Sequence, residues 1–335
     1  MSKVDRLRKR MFYQYACRDY GSAARLGESL LRAHAGRTDM PVYGDDLYNV
    51  ALACAAAGRV DRAVELYTES IRRAFNCGGA DLVVAARLSN LGALFSKYGQ
   101  HESACRIFMQ ALCIRRRMLP HKHVELGDAL FNMGHALVQA RRCREAIPAL
   151  SRALHIYSRG ESEGRSLTDC LHELAVAHEY LGEYEEALPY AEAAWRALAL
   201  SDIDEHYRAG YYLAQLYEQA NMTSDACELF LSVLEWLSQT VGCSHSSYIN
   251  VGTKAAINLA KLEEYEQAKE LLQSLQKLIA GMVGHSNLTY ANCLSNLALI
   301  HRQLEEWNEA EALIDESTSI KNRIMGQDFA ITPPI

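Results

Sequence analysis

The feature that most constrains this chain is an alanine that returns at nearly constant intervals along its whole length. The alanines are Ala23, Ala63, Ala104, Ala146, Ala187, Ala226, Ala268 and Ala310. They are separated by 40, 41, 42, 41, 39, 42 and 42 residues, and each follows a turn position by five residues. A fixed period of roughly 20 to 50 residues indicates a stacked repeat protein, so the chain should grow by adding similar units.

Each interval contains two stretches of helical periodicity separated by the turn. In the third interval the first stretch runs from Ala85 to Tyr98, and its apolar or small residues at helical spacing are Leu88, Leu91, Gly92 and Phe95. The second stretch runs from Ser103 to Met118 and turns Ala104 inward. Gly92 and Ala104 are small, which would let the two helices cross closely, whereas larger side chains would overpack the crossing.

This pattern resembles the tetratricopeptide repeat. The family places are filled in the third interval by Leu88, Leu91-Gly92, Phe95, Ala104, Phe108 and Ala111. The period is similar to that of the kinesin-light-chain variety, with repeats of about 42 residues. The resemblance implies an all-α fold, namely an α-solenoid in which about eight helical hairpins form a right-handed superhelix.

A single solenoid is expected over residues 1–325. Its repeats are predicted at about 3–40, 41–80, 81–121, 122–164, 165–202, 203–244, 245–286 and 287–325. In the last repeat Ser317, Thr318 and Ser319 replace the apolar residues of the third, which predicts a polar outer face that caps the stack. Residues 326–335, which include Pro333 and Pro334, are predicted to form a poorly ordered tail or to lie across the surface.

Composition narrows the classes of partner and compartment. Hydrophobic residues make up 49% of the 335 residues, which permits a packed core throughout. The net charge of -6 gives no reason to expect nucleic acid, whose binding depends on many basic residues. No apolar run reaches transmembrane length, and the ten cysteines form no CxxC pair. We therefore expect a cytoplasmic protein that binds neither nucleic acid nor membrane.

Motifs for catalysis or metal binding do not occur in the sequence. His172-Glu173 begins like the HExxH zinc motif, but Val176 stands where the second histidine is required. The sequence also lacks GxSxG, GxxxxGK[ST] and GxGxxG. We predict a protein that is not an enzyme and uses no cofactor or metal.

The resemblance directs attention to the first helix of each repeat, which in this family lines a concave groove. One residue before the Leu-Gly place lie Asn49, Asn90, Asn132 and Asn296, and in peptide-binding relatives an asparagine there faces the ligand backbone. An amide both donates and accepts, so it can pair with any peptide unit, although it could equally pair with a neighbouring helix of the same protein. Helix-face arithmetic adds further predicted groove residues, which are Arg87, Lys97, Phe131, His135, Gln139, His172 and Tyr211.

Two functions follow from this scaffold. The first is an adaptor that holds an extended peptide segment of a protein partner in the groove. The alternative resembles the peptide-sensing tetratricopeptide regulators, which bind a short signal peptide and change superhelix pitch. A sensor should change its radius of gyration on binding a free peptide, whereas a scaffold should change little.

Overall fold

A computed structural model describes residues 2–34, 41–79, 81–159, 164–198, 203–240, 242–243 and 245–329. Its chain divides into two units, Met1–Leu181 and Gly182–Ile335. Within the described ranges every regular element is a helix, which confirms the predicted all-α class. None of these helices is both long enough and apolar enough to cross a membrane.

The helices of the first unit are α1 (Lys3–Ala16), α2 (Tyr20–Ala33), α3 (Pro41–Ala56), α4 (Val60–Gly78), α5 (Leu82–Lys97), α6 (His101–Met118), α7 (Val124–Gln139), α8 (Cys143–Tyr157) and α9 (Gly164–Leu181). Those of the second unit are α10 (Tyr184–Ala197), α11 (Ile203–Gln219), α12 (Thr223–Thr240), α13 (Ser246–Lys261), α14 (Tyr265–Val283), α15 (Leu288–Gln303) and α16 (Trp307–Phe329). We call the odd-numbered helices A and the even-numbered helices B. Within each unit, consecutive A and B helices form the hairpins of an α-solenoid, as predicted.

The periodic alanine has the same structural position in every repeat. It is the fourth residue of helix B, and all eight alanines are buried. Five residues earlier the backbone adopts a left-handed conformation at Arg18, Gly58, Gly99, Arg141, Gly182, Asn221, Glu263 and Glu305. This conformation is inexpensive only for glycine, yet five of the eight turns use another residue. The short turn therefore depends on geometry shared by all repeats and only partly on glycine.

The close crossing within a hairpin is confirmed at Gly92 and Gly134. A β-carbon added to Gly92 would lie 2.8 Å from the Phe108 ring on α6, and one added to Gly134 would lie 2.6 Å from the Leu150 side chain on α8. Both distances are shorter than real contacts allow. These glycines therefore bring the A and B helices together.

Helix termini show why several helices begin where they do. The carboxylate of Asp19 accepts the Ser22 amide at 3.0 Å, and that of Asp81 accepts the Val84 amide at 2.9 Å. Asn287 caps α15 in the same way through the Tyr290 amide. These side chains satisfy amides that the first turn of a helix leaves without an intrahelical partner.

The last helix departs from the sequence-based expectation. Ser317 was predicted on a polar outer face, but it is buried and its hydroxyl donates to the Ala291 carbonyl at 2.7 Å. Thr318 and Ser319 are exposed, and the exposed side also carries Trp307 and Ile314. Helix α16 continues to Phe329, into the predicted tail, and residues 330–335 lie outside the described residues.

Candidate partner-binding face

In the first unit the A helices of successive repeats are direct neighbours. The Asn90 amide on α5 donates to the Tyr48 hydroxyl on α3 at 2.6 Å. His135 on α7 lies 2.8 Å from a carboxylate oxygen of Glu173 on α9. We call the surface made by the outward residues of α3, α5, α7 and α9 the A-helix face of the first unit.

Three asparagines occupy equivalent places on this face. Asn49, Asn90 and Asn132 each lie 14 residues before the periodic alanine of their repeat and are half-buried. The Asn90 amide donates to the Tyr48 hydroxyl and also to the Ala86 carbonyl of its own helix, at 3.3 Å. Among the described residues, the side chains of Asn49 and Asn132 have no hydrogen-bonding partner. The row therefore contains one engaged amide between two open ones.

The next place in this row, on α9, is Glu173. One of its oxygens meets His135 Nδ1, while Oε2 is buried and has no partner among the described residues. The hydrogen bond that His135 makes to the Glu173 carboxylate raises the pKa of His135 above its ordinary value, because its effect exceeds the opposing effect of burial. The Phe131 ring stacks on His135 with centroids 6.2 Å apart. This part of α7 thus combines an amide in Asn132, an aromatic ring in Phe131 and a titratable group in His135.

Arg87 corrects the sequence-based site. It is only 4% exposed, donates to the Ser70 carbonyl on α4 at 2.8 Å and is paired with Asp45. Its guanidinium also lies over the Tyr48 ring, 5.5 Å from the centroid. The predicted outward position is wrong because the side chain turns toward helix B, where it joins neighbouring repeats.

Most other predicted residues of the first unit are accessible. Lys97, Gln139 and His172 are exposed, and Phe131 and His135 are partly buried. The Lys97 ammonium lies 6.0 Å from the centroid of the Tyr98 ring. The structure does not test whether these side chains bind a ligand, so their role stays a prediction.

On α13 in the second unit, the place equivalent to the three asparagines has different chemistry. Lys254 stands where the first unit has asparagine, and its ammonium lies 2.9 Å from Glu218 on α11. Glu218 also accepts from Asn258 at 3.0 Å and from Lys261 at 3.1 Å. Burial raises the pKa of Glu218, but the hydrogen bonds from the two lysines and Asn258 outweigh it, so the net shift is downward.

Among the described residues, the two predicted site residues of the second unit form no hydrogen bond with this network. Tyr211 packs edge-on against Phe230, with ring centroids 5.6 Å apart. Asn296 lines a shallow, mainly apolar cavity of about 310 Å³ among α13, α14 and α15. Nine of the eleven predicted residues thus lie in the first unit and two in the second.

Sequence reasoning missed the pairs that join successive A helices. His135 and Glu173 are 38 residues apart, and Glu218 and Lys254 are 36 apart. A signal was present, because both pairs place opposite charges on neighbouring repeats when the repeats are aligned by their alanines. In the described part of the chain, no group of three or more His, Cys, Asp or Glu side chains is arranged to hold a metal ion.

Comparison with known proteins finds the same kind of repeat. Two family models, both described as tetratricopeptide repeat, match residues 46–117 and residues 167–197 and 291–330. The Arabidopsis thaliana protein KINESIN LIGHT CHAIN-RELATED 2 is 25% identical over 232 residues, which cover 67% of this chain and 34% of that protein. The chain thus spans about a third of the length of this relative.

Solved structures support the fold. A kinesin light chain with nearly identical repeats from Podospora anserina superposes with a TM-score of 0.51 at 20% identity, covering 58% of this chain and 95% of the other. A signal transduction ATPase with a tetratricopeptide repeat sensor from Pyrococcus horikoshii gives 0.60 at 14% identity, covering 91% of this chain and 45% of the other. At these identities the likeness concerns architecture alone.

Proposed function

We propose that this chain, whose repeats are similar to tetratricopeptide repeats of the kinesin-light-chain-like kind, holds an extended peptide segment of a partner protein on the A-helix face of the first unit. Tetratricopeptide proteins are in general protein-interaction scaffolds and are typically not enzymes. The observation that carries the finer proposal is the row formed by Asn49, Asn90 and Asn132, two of which have open amides.

The geometry of the row fits an extended chain. Packed helices lie about 8–10 Å apart, and an extended peptide rises about 3.3 Å per residue. Each step from one A helix to the next therefore corresponds to about three ligand residues, and the three steps from α3 to α9 correspond to about seven to nine. An asparagine amide pairs with a peptide unit whatever its side chain is, so the row would hold the backbone at regular intervals.

Neighbouring side chains would add selectivity. Phe131 offers a half-buried ring beside Asn132, and rings of this kind bury large areas of a ligand side chain. His135, next to it, is already engaged by Glu173 and is thus fixed in orientation. A ligand side chain that reaches this point would meet a pre-organised surface, which lowers the entropy cost of binding.

The test begins with random linear peptides displayed on phage, somewhat longer than the row, selected on the full-length chain. Selected peptides are then titrated calorimetrically against the unchanged protein, the double variant Asn49→Ala with Asn132→Ala, and the matched control Asn296→Ala. We expect the double variant to bind roughly 10 to 100 times more weakly, because about 0.5–1.5 kcal/mol is lost with each net hydrogen bond. The control, at the same repeat position in the second unit, should bind normally.

Equal affinity of the double variant and the unchanged protein would overturn the proposal, as would an equal loss in Asn296→Ala. Circular dichroism of each variant separates lost binding from lost folding. Small-angle scattering with and without peptide addresses the alternative function: a change in the radius of gyration would indicate a peptide sensor, and an unchanged value would indicate a scaffold.

A further inference from the structure

The two units carry opposite net charge. Residues 1–181 contain 26 Lys and Arg against 19 Asp and Glu, a formal charge of +7. Residues 182–335 contain 9 against 22, a formal charge of -13, so the modest total of -6 conceals the difference. A charge division of this size gives a protein surfaces that attract one another between molecules.

Part of the positive charge of the first unit lies on one side of α1. Lys3, Arg6, Arg10 and Tyr13 follow the spacing i, i+3, i+7 and i+10, which places them on one helical face. All four are exposed, and Tyr13 is 67% exposed. Among the described residues none of the three cations forms an ion pair. Val4, Leu7 and Met11 pack in the core on a different side of α1, so this basic face is turned outward.

Helix α16 presents the opposite chemistry in the second unit. Trp307, Glu311, Ile314 and Thr318 follow the spacing i, i+4, i+7 and i+11, and Asp315 lies beside them. All are exposed, with Trp307 at 60%. Neither acidic residue has an ion-pair partner within the described ranges. This acidic face also contains the large apolar side chains that a polar cap would lack.

From these two faces we infer that the basic face of α1 docks on the acidic face of α16 in a second copy of this chain. Arg6 and Arg10 would meet Glu311 and Asp315, and Tyr13 would pack with Trp307 or Ile314. Tyrosine, tryptophan and arginine are the residues that most often dominate interface energy. Because two different surfaces meet, the contact is head-to-tail and can add further copies. It involves neither the amide row nor the A-helix face, so it stands apart from the proposed function.

A charge-swap experiment on the full-length chain tests this contact by sedimentation velocity. The unchanged protein should self-associate at about 50 mM salt and much less at about 500 mM, since the Debye length falls below about 5 Å there. Reversing the basic face (Arg6→Glu, Arg10→Glu) or the acidic face (Glu311→Lys, Asp315→Lys) should each abolish association. Mixing the two variants should restore association, with the two variants alternating along the assembly, and placing all four changes in one chain should restore self-association.

The control is Arg116→Glu with Arg117→Glu, which removes the same charge from an exposed part of α6. It should associate like the unchanged protein. The inference is wrong if the unchanged chain is monomeric at low salt, or if the fourfold variant and the mixture both stay monomeric. Equal loss in the control would instead show a general effect of net charge and would also overturn it. Recovery in the mixture excludes misfolding of either variant as the cause of lost association.

Discussion

Asn132 in the first unit and Lys254 in the second occupy the same place in their repeats, yet they do opposite things. The Asn132 amide has no partner among the described residues, whereas the Lys254 ammonium meets Glu218 of the preceding A helix at 2.9 Å. At Lys254, hydrogen-bonding capacity is thus used to join neighbouring repeats. At Asn132, it is left open among the described residues.

This contrast shows what repeat alignment can and cannot reveal. Alignment correctly assigns a residue to a place on helix A, because the place depends on the period alone. The chemistry at that place depends on the residue that the neighbouring repeat offers to it. Glu218 supplies a carboxylate to Lys254, whereas α5 supplies no partner to Asn132. A binding row must therefore be sought among residues that the neighbouring repeat does not engage.

The largest expected effect tests the register on which the comparison rests. If Asn132 faces outward, Gly134 two residues later must lie against α8. Gly134→Leu should lower the free energy of unfolding by roughly 1–3 kcal/mol, because the Leu150 side chain already fills the space. The control is Gly281→Leu on α14, where nothing lies within 4 Å of an added β-carbon. Urea denaturation should show a loss only for Gly134→Leu, and equal midpoints would invalidate the register.

The second prediction removes the carboxylate of Glu218, which joins Lys254, Asn258 and Lys261 in the second unit. Glu218→Gln should cost about 1–2 kcal/mol at neutral pH, because Lys254 and Lys261 lose their counter-charge while remaining partly solvated. The lowered pKa of Glu218 means that its contribution is present above the ordinary glutamate pKa and is lost as pH falls through the lowered value. Urea denaturation from neutral to acidic pH measures both effects. Glu270→Gln, at an exposed site that has no partner among the described residues, should change little.

The helical hairpins were predictable because their signal is local and repeated. The alanine period located every turn, and Gly92 and Gly134 were correctly assigned to the crossing of two helices within one hairpin. Such contacts depend on residues fewer than 20 apart, whose relative position is fixed by helix geometry. The expected single solenoid over residues 1–325 and its proposed ligand contacts stay predictions.

The errors concern contacts between repeats. Arg87 follows the exposed Ala86 on α5. One residue is a step of 100° about the helix, which was enough to turn the Arg87 guanidinium toward Ser70 on α4. Ser317 turned inward toward α15 for a similar reason. His135 and Glu173 depend on how one hairpin packs on the next, which the sequence of a single repeat does not specify.

The third prediction concerns the pH dependence of stability that the pair of His135 and Glu173 gives to the first unit. The raised pKa of His135 means that its pair with Glu173 stabilises the fold fully below the ordinary histidine value of 6.5 and weakens as pH rises through the raised pKa. Glu173→Gln should remove this dependence and cost about 1 kcal/mol on the acidic side, a modest value because His135 is 39% exposed. Unfolding free energies from about pH 5.5 to pH 8.5 check it. A slope that persists in Glu173→Gln would assign the titration to another group.

The smallest expected effect separates two asparagines of the same row. Asn90→Ala removes a hydrogen bond to the partly buried Tyr48 hydroxyl and should cost about 0.5–1 kcal/mol, while Asn132→Ala removes no bond within the described structure and should cost close to nothing. Thermal and urea denaturation of both variants, with Asn90→Asp and Tyr48→Phe as companions, can resolve this difference. Tyr48→Phe should reproduce most of the Asn90→Ala loss, and combining the two should add little because they remove the same bond.

An equal loss in Asn132→Ala would mean that its amide already has a partner within the protein. The row would then be internal packing in the first unit as well, and the contrast with Lys254 would disappear.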